Sequence, residues 1–232
     1  MTVPADAALP ATAGPFQAIL FDLDGTLIDS TGPTERAWFR WAHEEGLGST
    51  YEHTDHGKPA LSIVRSHVPA DRVDASLARA SAIELAETDG IVAKSGAREL
   101  LEALPAGSWA IVTSCTTELA AVRLAAAGLA APDILISVDD VQAGKPDPEG
   151  YRLAAARLGL DASRCLAVED TPTGLQAAQQ AGCTTLAVEG TFRRDQLSAD
   201  IIVDSLLDVV LEAVPEGLLL SPRVAGSAGS LR

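Results

Sequence analysis

Basic residues are scarce in this 232-residue chain: 17 Lys and Arg stand against 32 Asp and Glu, for a formal net charge of −15. A surface of that sign repels polyphosphate backbones, which argues against a nucleic-acid partner. Cysteine is sparse as well. Cys115, Cys165 and Cys183 form an odd set without C-x-x-C spacing, so neither a disulfide framework nor a thiolate zinc site is indicated, and a cytoplasmic location fits. No stretch approaches the roughly 18 apolar residues of a membrane span. The opening MTVPADAALPATAG has neither a basic n-region nor an apolar h-region, so no membrane association or export is expected.

Several local motifs are missing too. There is no G-x-G-x-x-G, G-x-S-x-G or H-E-x-x-H, which removes the best local evidence for dinucleotide binding, serine hydrolysis or zinc proteolysis. Gly144-Lys145 fails as a phosphate loop, because Pro146 stands where Ser or Thr is required and Asp139 where the first Gly belongs. The D-x-D at Asp22 fails as a calcium loop, since Leu27 takes the position of its turn glycine.

The remaining pattern is regular. Apolar residues make up 47% of the chain and charged ones 21%, a globular balance that provides for one large domain or two small ones. Short apolar runs at 18–21, 109–112, 134–138, 166–168, 184–188 and 201–203 read as buried strands. Most of those after residue 109 alternate with helical stretches. TTELAAVRLAAAG, DPEGYRLAAARLG and TPTGLQAAQQAG each open on a Thr or Asp cap and stop at Gly128, Gly159 or Gly182. That alternation specifies an α/β fold with a Rossmann-like parallel sheet. Residues 33–90 are helix-like without an intervening strand, so a helical insertion follows the first strand. Residues 1–14 and 221–232 lack any hydrophobic period and are expected to be poorly ordered ends.

Ligand sites of parallel sheets lie at the carboxyl ends of the strands. Here those ends carry Asp22 and Asp24, Thr113 and Ser114, then Lys145, then Glu169 and Asp170. Four carboxylates at one edge repel one another unless a cation lies between them. Few protein oxygens, with water and substrate phosphate completing the shell, suit Mg²⁺. An isolated Asp after a strand is usually a turn former, and Asp29 is read as a helix cap; the joint set points to phosphoryl chemistry.

FDLDGTLIDS, Thr113-Ser114, GKPDP and VEDTPTG in that order resemble the four motifs of the haloacid dehalogenase superfamily of phosphohydrolases, over about residues 16–205. The resemblance implies a core of residues 15–29 and 95–220 and a small helical cap of 30–94. It also implies Asp22 as nucleophile, Asp24 as general acid and base, and Thr113, Ser114 and Lys145 as phosphate-binding groups. The implied metal site holds Mg²⁺ through Asp22, the carbonyl of Asp24, Glu169 and Asp170. His56-Gly57-Lys58 resembles a segment of bacterial sugar phosphatases and of related polyol-phosphate phosphatases, so these three residues are assigned to substrate choice. Trp38, Phe39 and Trp41 are expected to pack the cap, and Cys115 to be structural. The implied partner is a small phosphorylated metabolite, met by a monomer or weak dimer. Phosphosugar mutases of the β-phosphoglucomutase type carry a His where Thr34 stands here. Phosphoglycolate hydrolysis, or phospholigand binding without catalysis, is also compatible with the four motifs.

Overall fold

The computed structural model describes residues 12–48, 51 and 59–223. The chain enters through β1 (Ala13–Phe16) and β2 (Ala18–Phe21), and β3 (Ile28–Asp29) leads into a helical insertion. The insertion holds α1 (Thr31–Glu44), α2 (Ala60–His67) and α3 (Val73–Ala86), and the chain returns through β4 (Val92–Ala93). Then follow α4 (Ala97–Ala103), β5 (Trp109–Val112), α5 (Thr117–Ala126), β6 (Leu135–Ile136) and α6 (Glu149–Arg157). The chain continues with β7 (Cys165–Glu169), α7 (Pro172–Ala181), β8 (Thr184–Val188) and β9 (Ile201–Val203), and closes with the hairpin β10 (Val209–Val214) and β11 (Gly217–Pro222).

Six strands pair in parallel in the order β6-β5-β2-β7-β8-β9, so the chain winds outward from β2 in both directions, as in doubly wound nucleotide-binding folds. All four residues of β2 are buried. Because side chains alternate along a strand, Ile19 and Phe21 join the core beneath α4 and α5, whereas Ala18 and Leu20 join that of α6 and α7. Phe21 lies opposite Ile111 of β5 and Val168 of β7. The chain therefore leaves all three strands at one level, with Asp22, Thr113 and Asp170 just beyond.

Helix punctuation follows the sequence closely. Thr116 accepts the Leu119 amide at the start of α5, and Thr171 accepts that of Gly174 ahead of Pro172 in α7. Asp147 accepts the Glu149 amide, and α6 begins there, one residue later than a cap at Asp147 implies. Asp29 likewise accepts the Thr31 amide from the residue before the cap of α1.

The ends differ from expectation. Ala13 and Gly14 belong to β1, and Ser221 and Pro222 to β11. Ala13 pairs with Leu220 and Phe16 with Leu218 in a three-stranded antiparallel sheet, order β1-β11-β10. Backbone pairing between chain segments some 200 residues apart, which composition does not register, orders them; Leu211, Leu218 and Leu220 enter the main core from this sheet. Residues 1–11 and 224–232 lie outside the described residues.

The insertion has a core of its own, built on Trp38, Trp41, Ile63, Val64 and Ile83. Trp41 is fully buried, meets Trp38 edge-on at 5.2 Å and donates from Nε1 to Ser76 Oγ at 2.9 Å. Phe39 packs only at the edge of this core: it is 49% exposed on another face of α1 and meets Tyr51 edge-on at 6.0 Å. Replacing Trp41 by Ala removes both the ring and the donor to Ser76 Oγ, whose own hydrogen goes to Glu45. We expect Trp41→Ala to cost roughly 3–5 kcal/mol in urea unfolding, with loss concentrated in the insertion's hydrogen-exchange protection.

Candidate active site

Three buried acids gather at the sheet edge. Asp22 follows β2, Glu169 ends β7 and Asp170 comes next, with a carboxylate oxygen from each lying within 4.8 Å of the others. Lys145 stands among them: its Nζ donates to Asp22 Oδ1 at 2.5 Å, Glu169 Oε1 at 2.6 Å and the Val112 carbonyl at 3.0 Å. Three carboxylates around one ammonium leave an excess of negative charge. Burial pushes the Asp22 carboxyl well above its ordinary range; Lys145 opposes this, while Glu169 and Asp170 add to it. Burial and the neighbouring Glu169 push Asp170 up to about 7. Burial works against the Lys145 ammonium, but Asp22 and Glu169 outweigh it and hold its pKa above the usual value.

The two acids after β7 differ in their bonding. Glu169 Oε1 accepts from Lys145 and from the Tyr151 hydroxyl, and Oε2 from the amides of Asp170 and Thr171 and the Thr171 hydroxyl. A Cβ at Gly174 would overlap this carboxylate, so only glycine lets α7 sit against it. Asp170 Oδ1 accepts from Thr26 Oγ1 at 3.3 Å, while Oδ2 is buried with no hydrogen-bond partner among the described residues. Gly25, at φ +91°, passes so close that a Cβ there would overlap Oδ2. An orphaned carboxylate oxygen beside Asp22, in a cluster short of positive charge, fits a hard divalent cation.

Asp24 is held apart from this cluster. Its Oδ1 accepts from Ser30 Oγ at 2.6 Å and from Arg123 at 2.8 Å, and its Oδ2 from the Cys115 thiol at 3.0 Å. The carboxylate is thus engaged away from Asp22 and Asp170. Burial raises the Cys115 thiol pKa well above the usual value, so the group remains a thiol donor.

Asp22, Asp24, Ser30, Cys115, Arg123, Lys145 and Asp170 line one cavity of about 630 Å³ between the core and the insertion. Thr113 and Ser114 lie in its wall, and Thr113 Oγ1 accepts the Cys115 amide at 3.1 Å. Trp38, Leu61 and Leu77 of the insertion form the apolar side, with Ser81 and Glu84 nearby. The structure thus brings Asp22, Asp24, Thr113, Ser114, Lys145 and Asp170 to a single opening, with Glu169 directly behind. His56, Gly57 and Lys58 lie outside the described residues. Sequence alone did not single out Arg123, Glu84, Ser30 or Tyr151. A charged residue within the alanine-rich AAVRLAAAG and another within AIELA were the signals present, but their partners lie far away in the chain.

Residues 16–182 match the family model described as haloacid dehalogenase-like hydrolase. The chain is 39% identical over 209 residues to Hexitol phosphatase A of Escherichia coli (strain K12), covering 87% of this chain and 96% of that protein. It is 34% identical over 209 residues to Validoxylamine A 7'-phosphate phosphatase of Streptomyces hygroscopicus subsp. limoneus, covering 84% and 96%. A hydrolase from Pseudomonas syringae superposes with a TM-score of 0.74 at 26% identity, covering 83% of this chain and 95% of its own.

The charge imbalance sets a pH dependence in metal-free protein. Asp170 ionises near 3.8 when unfolded and near 7 in the fold. Its contribution to stability is therefore complete below pH 3.8 and lost as the pH rises through 7. Asp170→Asn should flatten that decline and stabilise the metal-free protein at pH 8 by on the order of 1–3 kcal/mol. Thermal unfolding from pH 4 to 8 in EDTA measures both effects. Added Mg²⁺ should raise the Tm of the wild type at pH 8 and leave that of Asp170→Asn unmoved.

Proposed function

The chain belongs to the haloacid dehalogenase-like hydrolases, and from that premise we propose that it is a Mg²⁺-dependent phosphatase of a sugar or polyol phosphate that works through an aspartyl phosphate. The observation that carries this reading is the pairing of Asp22 with Lys145 beside the orphaned oxygen of Asp170, at the floor of a cavity that Asp24 enters from its own hydrogen-bonded mount.

Asp22 attacks phosphorus in line, forming an O–P bond as the bond to the substrate oxygen breaks. Lys145 keeps the attacking carboxylate oriented and balances charge as it spreads over the phosphoryl oxygens, where Thr113 and Ser114 offer hydroxyl donors. Asp24 is the acid that delivers a proton to the leaving alkoxide. It then takes a proton from a water whose oxygen attacks phosphorus, and cleavage of the Asp22–phosphorus bond releases phosphate. Asp22, Asp170 and the Asp24 carbonyl would hold Mg²⁺, whose positive charge would offset the acidic edge against a dianionic phosphate. Glu169, with both oxygens engaged, acts through Lys145 and Tyr151. The insertion is the cap that closes the cavity against bulk water.

Support for a sugar or polyol phosphate comes from the similarity to Hexitol phosphatase A and from a cavity roomy enough for a hexitol phosphate, with both apolar and hydroxyl-bearing walls. Hydrolysis is favoured over mutase chemistry at Thr34. Its hydroxyl accepts from Arg123 at 3.0 Å, where the mutases resembled carry a His.

Phosphate release should be measured from hexose, pentose and polyol phosphates and phosphoglycolate, with Mg²⁺ and with EDTA. We expect metal-dependent release with hexitol or hexose phosphates preferred; isomerised sugar phosphate without free phosphate would establish a mutase instead. Asp22→Asn should lose on the order of 10³-fold or more in kcat while keeping its fold by circular dichroism. We also assign His56, Gly57 and Lys58 to substrate choice. Lys58→Ala should raise KM for the preferred sugar phosphate and leave p-nitrophenyl phosphate hydrolysis near the wild-type rate.

A further inference from the structure

Arg123 has no part in the steps above, yet it is one of the costliest side chains in the fold. It projects from α5 and is 6% exposed, and a guanidinium so placed gives up hydration that only well-placed partners offset. Those partners belong to two parts of the molecule. One terminal nitrogen donates to Asp24 Oδ1 at 2.8 Å and to Cys115 Sγ at 3.1 Å, both in the core. The other donates to Thr34 Oγ1 at 3.0 Å on α1 and to Glu84 Oε1 at 3.2 Å on α3, both in the insertion. Glu84 is itself 7% exposed, and burial raises its pKa against the pull of Arg123. A replacement that served packing alone would be apolar at both ends.

The planar fork of the guanidinium makes the two sides interdependent, because a rotation that releases Thr34 and Glu84 also turns the nitrogen facing Asp24. Asp24 is more exposed than Asp22, its side chain 26% against 9%, so its orientation depends on the groups that bond it. We propose that Arg123 is a positioning residue that sets the orientation of Asp24, and that Thr34 and Glu84 hold it in that role when the insertion is seated on the core. This rests on the reading of Asp24 as the acid that protonates the leaving oxygen.

An acid matters most when the leaving group is basic. The test is therefore kcat/KM, which spans binding through leaving-group departure, for two substrates: the best alkyl phosphate of the panel, whose alkoxide needs a proton, and p-nitrophenyl phosphate, whose phenolate leaves without one. We expect Arg123→Gln to lower kcat/KM for the alkyl phosphate by about 30- to 100-fold and for the aryl phosphate by less than about 5-fold. Arg123→Lys, which reaches one side only, should recover part of the loss, and Thr34→Val and Glu84→Gln should lose about 3- to 10-fold with the same selectivity. Should Arg123→Gln fail to fold, Arg123→Lys and Thr34→Val carry the comparison.

Equal losses on both substrates in the Arg123 variants would show a structural role and overturn the proposal. Wild-type behaviour of both Thr34→Val and Glu84→Gln would overturn the part assigned to the insertion. Asp24→Asn is measured alongside. If it loses the alkyl phosphate selectively while the Arg123 variants do not, the proposal fails and the acid reading stands. If Asp24→Asn loses both substrates equally, the acid reading fails first and the proposal with it.

Discussion

Lys145 is the cation on which the carboxylate cluster depends. A parallel sheet brings its strand ends to one edge whatever they carry, and here the edge carries Asp22, Glu169 and Asp170 in mutual contact. At that spacing, uncompensated carboxylates oppose folding by several kcal/mol in a low-dielectric surround. The ammonium of Lys145 touches two of the three, and Tyr151 and the start of α7 secure the one that faces inward. Because one cation cannot balance the set, the remaining demand falls on Asp170 Oδ2. The same imbalance that burdens the metal-free protein prepares it for a divalent ion, so stability and metal affinity draw on one quantity with opposite sign.

A second cation keeps Asp24 out of that cluster. Asp22 and Asp24 are two residues apart and leave the same strand, yet they face different neighbours: Lys145 for the first, Arg123 for the second. Lys145 belongs to the core alone. Arg123 also touches the insertion, so the surroundings of Asp24 alone register where the insertion lies.

The parallel sheet and most of the site were legible in the sequence because their signals are local. Runs of buried strand residues stand out at 18–21, 109–112, 184–188 and 201–203, and each matches its strand residue for residue. Asp22 and Thr113 follow such runs directly, and Glu169 and Asp170 follow the run at 166–168. The β10–β11 hairpin was not legible: VVLEAV buries only alternate positions, and β11 ends in Ser221 and Pro222, where the tail is read to begin. Its place depends on pairing with β1, across nearly the whole chain. The Arg123 contacts were hidden for the same reason, since Thr34, Glu84 and Asp24 lie 89, 39 and 99 residues away. Amphipathic periodicity tells which face of a helix is buried, but not which buried charge will meet which.

The two short strands β3 and β4 pair with Asp29 opposite Val92 and Ile28 opposite Ala93. Everything between them therefore leaves and re-enters the core at adjacent points, and its ends remain side by side whatever fold lies between. A segment with that property is a cassette. Exchanging it wholesale for one of another length imposes no strain on the sheet, and the chemistry at the floor keeps its geometry while the ceiling is rebuilt. What limits the exchange is Arg123, which bonds Thr34 and Glu84 across the boundary. A transplanted insertion that supplies a hydroxyl and a carboxylate to Arg123 would inherit a working floor; one that does not would fold above it without engaging it.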